Sequence, residues 1–252
     1  MTCQSPGRGR YGVAALAIGA MVTACGSTPA ATEYTVELDG ADLIDVSIDV
    51  DAGDLVITDM PGDTAMVRSE TNVASWLPAV AFETLDGSGT LDVHSVVDGS
   101  RPGEEATLTL GLTRGPRHRI TVTRSSGNTL LDLTDLDVSE LDVLAGPGET
   151  ELILSPAITD LTADVTLGNL IVRLPTPTEH ARLDLSADLG SVVLAVAPDT
   201  GVRLTTRGRG PVVAPGFAVE DDVYVNGPYA ATGPGYDIAV DTGAGGIRIQ
   251  NT

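Results

Sequence analysis

Arginine side chains cluster in one short stretch of an otherwise acidic chain. The sequence has 252 residues, with 14 Lys plus Arg, 35 Asp plus Glu and a net charge of −21. Arg114, Arg117, Arg119 and Arg124 nevertheless lie close together, with His118 among them. Guanidinium groups bind phosphate and carboxylate through paired, charge-assisted hydrogen bonds. The four arginines are therefore candidate anion-binding residues, and the alternative is that each pairs with a neighbouring acidic residue.

The residue types that support metal binding or nucleophilic catalysis do not occur in the required patterns. His94, His118 and His180 lack the close spacing of metal-ligand pairs, and we expect them at the surface. One acidic stretch begins like a calcium loop, but it has Asp54 where Gly is needed and Met60 where Glu is needed. No Gly-x-Ser-x-Gly hydrolase motif occurs. We therefore predict no catalytic, cofactor-binding or metal-binding residues, and no enzyme.

Composition restricts the partners further. The chain has no Lys, which excludes a phosphate-binding P-loop and a Schiff-base lysine. Nucleic-acid binding needs a basic face and stacking aromatic residues, whereas this chain is acidic and 3% aromatic. The scarcity of aromatic residues also disfavours a glycosidase. We expect no nucleic-acid partner and a core built from Val, Leu, Ile and Ala.

The first 24 residues have the features of a targeting segment. Arg8 and Arg10 precede an apolar run over residues 11–23. That run is short for a membrane span, which takes about 20 residues. It ends in Val22-Thr-Ala-Cys25, which resembles the lipobox of bacterial lipoproteins. The resemblance implies that the Cys25 thiol carries a diacylglyceryl group and that cleavage makes Cys25 the N-terminus.

An ordinary cleaved signal peptide with an incidental cysteine and an uncleaved single-span anchor are the alternatives to a lipid anchor. With the lipobox interpretation, residues 1–24 are a lipoprotein signal peptide and residues 25–35 are a lipid-anchored flexible linker. Residues 36–252 form the domain. We then expect the protein to be extracytoplasmic and attached to the cell membrane, because acyl chains partition strongly into lipid.

From about Val36 onward, apolar and polar residues alternate. Residues 43–51 show the pattern, with apolar residues at every even position from Ile44 to Val50. Such alternation places one face of a β-strand in a core and the other face in water. The chain also has 29 Gly and 15 Pro, which divide it into short segments. The domain is therefore predicted to be all-β.

The strands recur in a repeated unit. Residues 161–174 and 183–196 each have eight residues ending in a glycine, followed by a strand rich in aliphatic residues. Gly168 and Gly190 are therefore 22 residues apart, and Gly146 lies 22 residues before Gly168. Stacked strand–glycine–strand units bury a shared core. This pattern predicts a β-solenoid-like stack, with an antiparallel β-sandwich as the alternative.

The second half of the chain resembles the bacterial putative-adhesin, or toast-rack, domains. The residues that carry the resemblance are Leu131–Leu133, Leu136–Val138, Leu141–Val143 with Gly146, Gly148–Leu154, the units at Gly168 and Gly190, and the closing Tyr236–Ile249. The resemblance covers residues 127–252 best, and residues 36–126 look like a divergent stretch of the same architecture. It implies a β-helix-like rack of short strands, similar to a domain of envelope proteins that respond to cell-wall-active antibiotics.

Together these features predict a non-catalytic, lipid-anchored binding or structural module of the cell envelope, an adhesin or scaffold. The alternative is an accessory or sensor domain for envelope stress that acts through a membrane partner. The expected partners are membrane lipid, through acylated Cys25, and an envelope polymer or a membrane protein.

Overall fold

The computed structural model describes residues 30–72, 76–95, 106–208, 210–230 and 232–251. Every regular element in these ranges is a β-strand. No helix in the described part of the chain is long and apolar enough to cross a membrane.

The strands lie in two sheets. In chain order they are β1 (Ala30–Glu37), β2 (Leu43–Val50), β3 (Asp54–Met60), β4 (Thr64–Thr71), β5 (Ala79–Leu85), β6 (Ser88–Ser95), β7 (Ala106–Thr113), β8 (Arg117–Arg124), β9 (Thr129–Asp132), β10 (Asp137–Ala145), β11 (Thr150–Ile153), β12 (Asp160–Leu167), β13 (Leu170–Leu174), β14 (His180–Leu189), β15 (Val192–Val196), β16 (Val202–Gly208), β17 (Val212–Val213), β18 (Ala218–Glu220), β19 (Val223–Val225), β20 (Gly235–Thr242) and β21 (Ile247–Asn251). Sheet A has the order β1-β4-β7-β3-β9-β11-β13-β15-β21-β17, and sheet B has the order β18-β19-β16-β20-β14-β12-β10-β8-β2-β6-β5.

The centre of the molecule is a stack of parallel rungs. Each rung contributes one strand to sheet B and the next strand of the chain to sheet A, as β10–β11 and β12–β13 do. The predicted β-solenoid-like fold is therefore confirmed. Antiparallel pairing is confined to the two ends of the stack. It joins β1, β4 and β7 in sheet A, β5 and β6 in sheet B, and β16, β19 and β18 at the opposite end of sheet B.

The rungs do not stack in chain order at either end. The β2–β3 rung lies between β6–β7 and β8–β9, and the β20–β21 rung lies between β14–β15 and β16–β17. The rungs nearest the two chain termini are therefore hydrogen-bonded on both sides. This arrangement protects strands that would fray at the edge of a simple solenoid.

Inward-facing residues of both sheets form one core, made almost entirely of Val, Leu, Ile and Ala. Two aromatic residues join it. Trp76 and Tyr236 are fully buried, and the Tyr236 hydroxyl donates a hydrogen bond to the carbonyl oxygen of Pro175 at 3.0 Å. The aliphatic core follows from the alternation in the sequence, since the strands turn every second residue inward.

Seven turn glycines stack along one edge of the rack, and we call them the glycine column. In spatial order they are Gly53, Gly127, Gly148, Gly168, Gly190, Gly245 and Gly210. A Cβ atom on any of them would lie closer than 3.0 Å to a backbone carbonyl oxygen of the preceding rung. Glycine is therefore required here for close backbone approach.

The 22-residue spacing aligned Gly146 with Gly168 and Gly190, and this alignment was wrong. Gly148 occupies the column, because β10 and β12 pair with a 20-residue offset, Glu140 opposite Asp160. The offset is 22 residues between the next two rungs, where Asp160 of β12 lies opposite Arg182 of β14 and Leu170 of β13 lies opposite Val192 of β15. The repeat length therefore varies from rung to rung, while the position of the column glycine is kept.

Alanine at Gly190 tests the column. This glycine has no left-handed φ angle, so the Cβ atom would act only through its clash with the carbonyl oxygen of Gly168. We expect Gly190→Ala to lower the free energy of unfolding by about 2 kcal/mol or more, measured by urea denaturation. Gly227→Ala is the control, because a Cβ atom there meets no neighbour within 4 Å. Equal stability of the two variants would contradict the close stacking.

Candidate functional site

Outward-facing residues of sheet B form rows that run across its parallel strands. One row consists almost entirely of charged side chains, and we call it the charged row. Its members in spatial order are Asp45, Arg119, Glu140, Asp160, Arg182, Asp237 and Arg203. Neighbouring strands are about 4.8 Å apart, so each charge lies beside the next. Acidic and basic residues are interspersed, and the row is a surface of mixed charge.

Three of the four candidate arginines are exposed and lie against carboxylates. Arg119 forms a bidentate pair with Asp45, with Nε–Oδ1 at 2.6 Å and Nη2–Oδ2 at 2.9 Å. Arg114 donates from Nε to Asp59 at 2.8 Å. It also lies 2.8 Å from Asp135 through Nη2.

The remaining exposed arginine is more loosely held. Arg117 Nε lies 3.7 Å from Asp137 Oδ2, which is an ion pair without a short hydrogen bond. Its side chain is 62% exposed, more than that of Arg114 or Arg119. Arg117 and Arg119 follow each other on the outer face of β8, so they form a pair of exposed positive charges on this part of sheet B.

Arg124 is separated from the other three arginines. It is the last residue of β8 and lies on the inner face of the strand, with 1% of its surface exposed. Burial lowers the pKa of its guanidinium. The alternation along β8 accounts for this placement, because Arg117 and Arg119 are odd-numbered and point outward while Arg124 is even-numbered and points inward.

His118 was predicted at the surface, and this prediction was wrong. It shares the inner face of β8 with Arg124 and is fully buried. Burial lowers its pKa from 6.5 to about 4. The expectation was right for His94 and His180, which are exposed and lie 3.3 Å from Asp49 and 3.0 Å from Asp237.

Asp237 is the centre of a cluster that sequence reasoning missed. Its carboxylate bonds to His180 Nε2 at 3.0 Å, accepts a hydrogen bond from the Tyr229 hydroxyl at 2.8 Å, and lies 3.7 Å from Arg203. Partial burial alone would raise the pKa of Asp237, but the His180 and Tyr229 hydrogen bonds and the charge of Arg203 lower it. The hydrogen bond to Asp237 raises the pKa of His180.

The Asp237 cluster fastens a loop to the sheet. Both ring nitrogens of His180 are engaged, since Nδ1 lies 3.2 Å from the carbonyl oxygen of Gly233 and Nε2 faces Asp237. Tyr229 and Gly233 belong to the connection between β19 and β20. No group of three or more His, Cys, Asp or Glu side chains within the described ranges could hold a metal ion. The contacts of the Asp237 cluster join the β19–β20 connection to strands β14 and β20.

The fold and this surface define a class of protein: an all-β rack of parallel rungs with broad outer faces. The chain belongs to the toast_rack family, because the family model for the N-terminal domain of toast_rack, DUF2154, matches residues 26–169, more than half of the sequence. The matched range takes in residues 36–126, together with the first rungs of the 127–252 stretch. Cys25 lies outside the described residues and just before the matched range.

Similar structures have been solved for bacterial proteins. A "putative cell adhesion protein" from Clostridium sporogenes is 18% identical with a TM-score of 0.68, over 89% of this chain and 100% of that chain. A "putative adhesin" from Bacteroides fragilis is 13% identical with a TM-score of 0.36, over 87% of this chain and 97% of that chain. At 18% identity the first similarity concerns the fold alone. No curated protein sequence matches the chain.

Burial of His118 predicts a loss of stability in acid. Its pKa is about 4 when folded and 6.5 ordinarily, so between these values the unfolded chain binds a proton that the folded chain does not. Stability should fall as the pH drops from 6.5 to 4, by up to about 3 kcal/mol from this residue. Urea denaturation of His118→Leu should show a shallower pH dependence. His94→Gln, at an exposed site, is the control, and a His118→Leu profile like that of the unsubstituted chain would contradict the prediction.

Proposed function

We propose that the chain is a non-catalytic, lipid-anchored binding module of the cell envelope, an adhesin or scaffold that presents the outer face of sheet B to a partner. The observation that carries the proposal is the charged row, which extends over seven adjacent strands. An open surface that extends over several strands suits recognition of an extended polymer better than enclosure of a small molecule. The similar fold of the Clostridium sporogenes protein described as a "putative cell adhesion protein" is consistent with it.

The lipid anchor would hold one particular end of the rack at the membrane. Strand β1 begins at Ala30 and takes in residues 30–35 of the expected linker, so four residues separate Cys25 from the first strand. Such a connection spans at most about 18 Å. Because β1 is the outermost strand of sheet A, the end of the stack that contains β1 would lie next to the lipid, and the opposite end would project away from it.

The exposed arginines Arg117 and Arg119 are the proposed contacts to an anionic envelope polymer. Arg117 holds its acidic partner loosely, so a phosphate or carboxylate group can compete for it. The surrounding acidic residues would restrict binding to a ligand that brings its negative charges at defined positions.

A sensor or accessory domain is the second candidate function. The observation in its favour is the pair of long outermost strands, β1 in sheet A and β5 in sheet B, at the end proposed to lie next to the membrane. Each has a second edge that no described strand covers, and Leu85 at the end of β5 is 72% exposed. A membrane protein could add a strand to either edge.

Lipid attachment is tested by metabolic labelling with a fatty acid analogue. We expect label on the full chain and membrane association, and loss of both in Cys25→Ala. Cys3→Ala is the matched control and should keep the label, because the proposed lipid is carried by Cys25. Retention of label by Cys25→Ala would contradict the anchor.

Polymer binding is tested by co-sedimentation of the chain with isolated anionic wall polymer. We expect Arg117→Ala/Arg119→Ala to bind at least about tenfold more weakly, because two charge-assisted contacts are lost. Arg173→Ala/Arg248→Ala, on the outer face of sheet A, is the control. Unchanged binding by the first variant would contradict the proposed contact. Recovery of a membrane protein instead of polymer would favour the sensor function.

A further inference from the structure

Polar residues interrupt the aliphatic core at several places, and one of these places lies at the glycine column. Two positions after each column glycine from Gly53 to Gly245, sheet A turns a residue inward, and most of these residues are aliphatic. In spatial order they are Leu55, Thr129, Thr150, Leu170, Val192 and Ile247. The two threonines occupy adjacent rungs, β8–β9 and β10–β11. Among the buried residues of the described ranges, Arg124 is the one Arg, Asp or Glu, and it belongs to the first of these rungs.

The Arg124 guanidinium reaches the two turns that precede these threonines. Its Nη1 lies 3.0 Å from the point where a Cβ atom on Gly127 would be and 3.2 Å from the corresponding point on Gly148. Thr129 and Thr150 follow these glycines by two residues and are directly paired between β9 and β11. The three polar side chains therefore lie in the same part of the interior, next to the glycine column.

The register of sheet B leaves room for the long side chain. Arg124 lies opposite Ala145 on the neighbouring strand β10, so a small residue stands beside it. On the other side it lies opposite Val50 of β2. The neighbouring residues, including the column glycines, have small side chains. The guanidinium can therefore extend between the two sheets.

The polar atoms at this place have no hydrogen-bond partners among the described residues. These atoms are Nε, Nη1 and Nη2 of Arg124 and the hydroxyl oxygens of Thr129 and Thr150. The residues are 1%, 2% and 0% exposed, so solvent does not reach them. Leaving buried polar groups unpaired is costly, and leaving a buried charge uncompensated costs more.

One acidic residue offsets the charge in part. Asp54 acts on Arg124 through its opposite charge. Its Oδ1 atom already accepts hydrogen bonds from the backbone and side-chain nitrogens of Asn128, at 2.8 and 3.1 Å. Asp54 therefore supplies long-range attraction, while the donors of the guanidinium still lack an acceptor.

We propose that Arg124, Thr129 and Thr150 form a buried binding site for a small inorganic anion of the size of chloride. The guanidinium and the two hydroxyl groups can all donate hydrogen bonds and have no acceptor among the described residues, so the ligand must accept hydrogen bonds and carry negative charge. Enclosure between the sheets restricts it to a single ion. The anion would bind as the chain folds and stabilise the rack, independently of the function proposed for the outer surface.

Thermal unfolding of the full chain tests this site, with sodium chloride exchanged for sodium gluconate at constant ionic strength. Each tenfold rise in chloride concentration above the dissociation constant of the site should raise the midpoint temperature of unfolding by about 3–5 °C. Arg124→Met should abolish this dependence. Thr129→Val/Thr150→Val keeps the side-chain volume and should weaken the dependence. Arg117→Met, at an exposed position on the same strand, should retain it.

Bromide provides a direct view of the same site. Crystals grown in sodium bromide should show an anomalous scattering peak inside the rack, between the turns of Gly127 and Gly148. Absence of that peak would overturn the proposal. Equal chloride dependence in the unsubstituted chain and in Thr129→Val/Thr150→Val, a variant expected to fold even where Arg124→Met does not, would also overturn it.

Discussion

Close contact between successive backbone turns is the constraint on which this structure depends. Each rung lies one strand spacing from the next, and at the turns this spacing leaves no room for a side chain. Glycine is therefore present at every position of the column, from Gly53 to Gly210. The close turns hold the strands in register between the charged row and the glycine column, so the outward side chains of eight parallel strands of sheet B fall into straight rows there. A bulge between Val138 and Glu140 of β10 shifts the register on the far side of the charged row.

The same register separates two kinds of chemistry. On the outer face of sheet B it places opposite charges side by side, in solvent, where each pair contributes little stability but the whole row is available for recognition. On the inner face it places Arg124 in the core near the turns of Gly127 and Gly148, where charge is costly and must be compensated. One strand, β8, supplies both, because alternate residues point to opposite sides. A one-residue shift of β8 would exchange the two environments.

Alternation and turn glycines in the sequence were enough to predict strands, an aliphatic core and a solenoid-like stack. The alternation along β8 also distinguishes the buried, even-numbered residues His118 and Arg124 from the exposed, odd-numbered residues Arg117 and Arg119. The order in which the rungs stack could not be predicted from local sequence patterns. The insertion of β2–β3 and β20–β21 as penultimate rungs depends on pairings between distant segments. The Asp237 cluster depends on the same pairings, because β20 must lie between β14 and β16 before Asp237 can face His180 and Arg203.

The β2–β3 and β20–β21 rungs lie out of chain order in the stack, and thiol crosslinking tests this order most directly. In a chain with Cys3 and Cys25 replaced by Ser, cysteines would be placed in pairs on the outer face of sheet B. Ser186 lies directly opposite Asp241, while Arg207 lies one strand further away, about 10 Å from Ser186. A short thiol crosslinker should join Ser186→Cys to Asp241→Cys and leave Ser186→Cys with Arg207→Cys unjoined. Efficient crosslinking of the second pair and none of the first would contradict the account, because it would mean that the rungs stack in chain order.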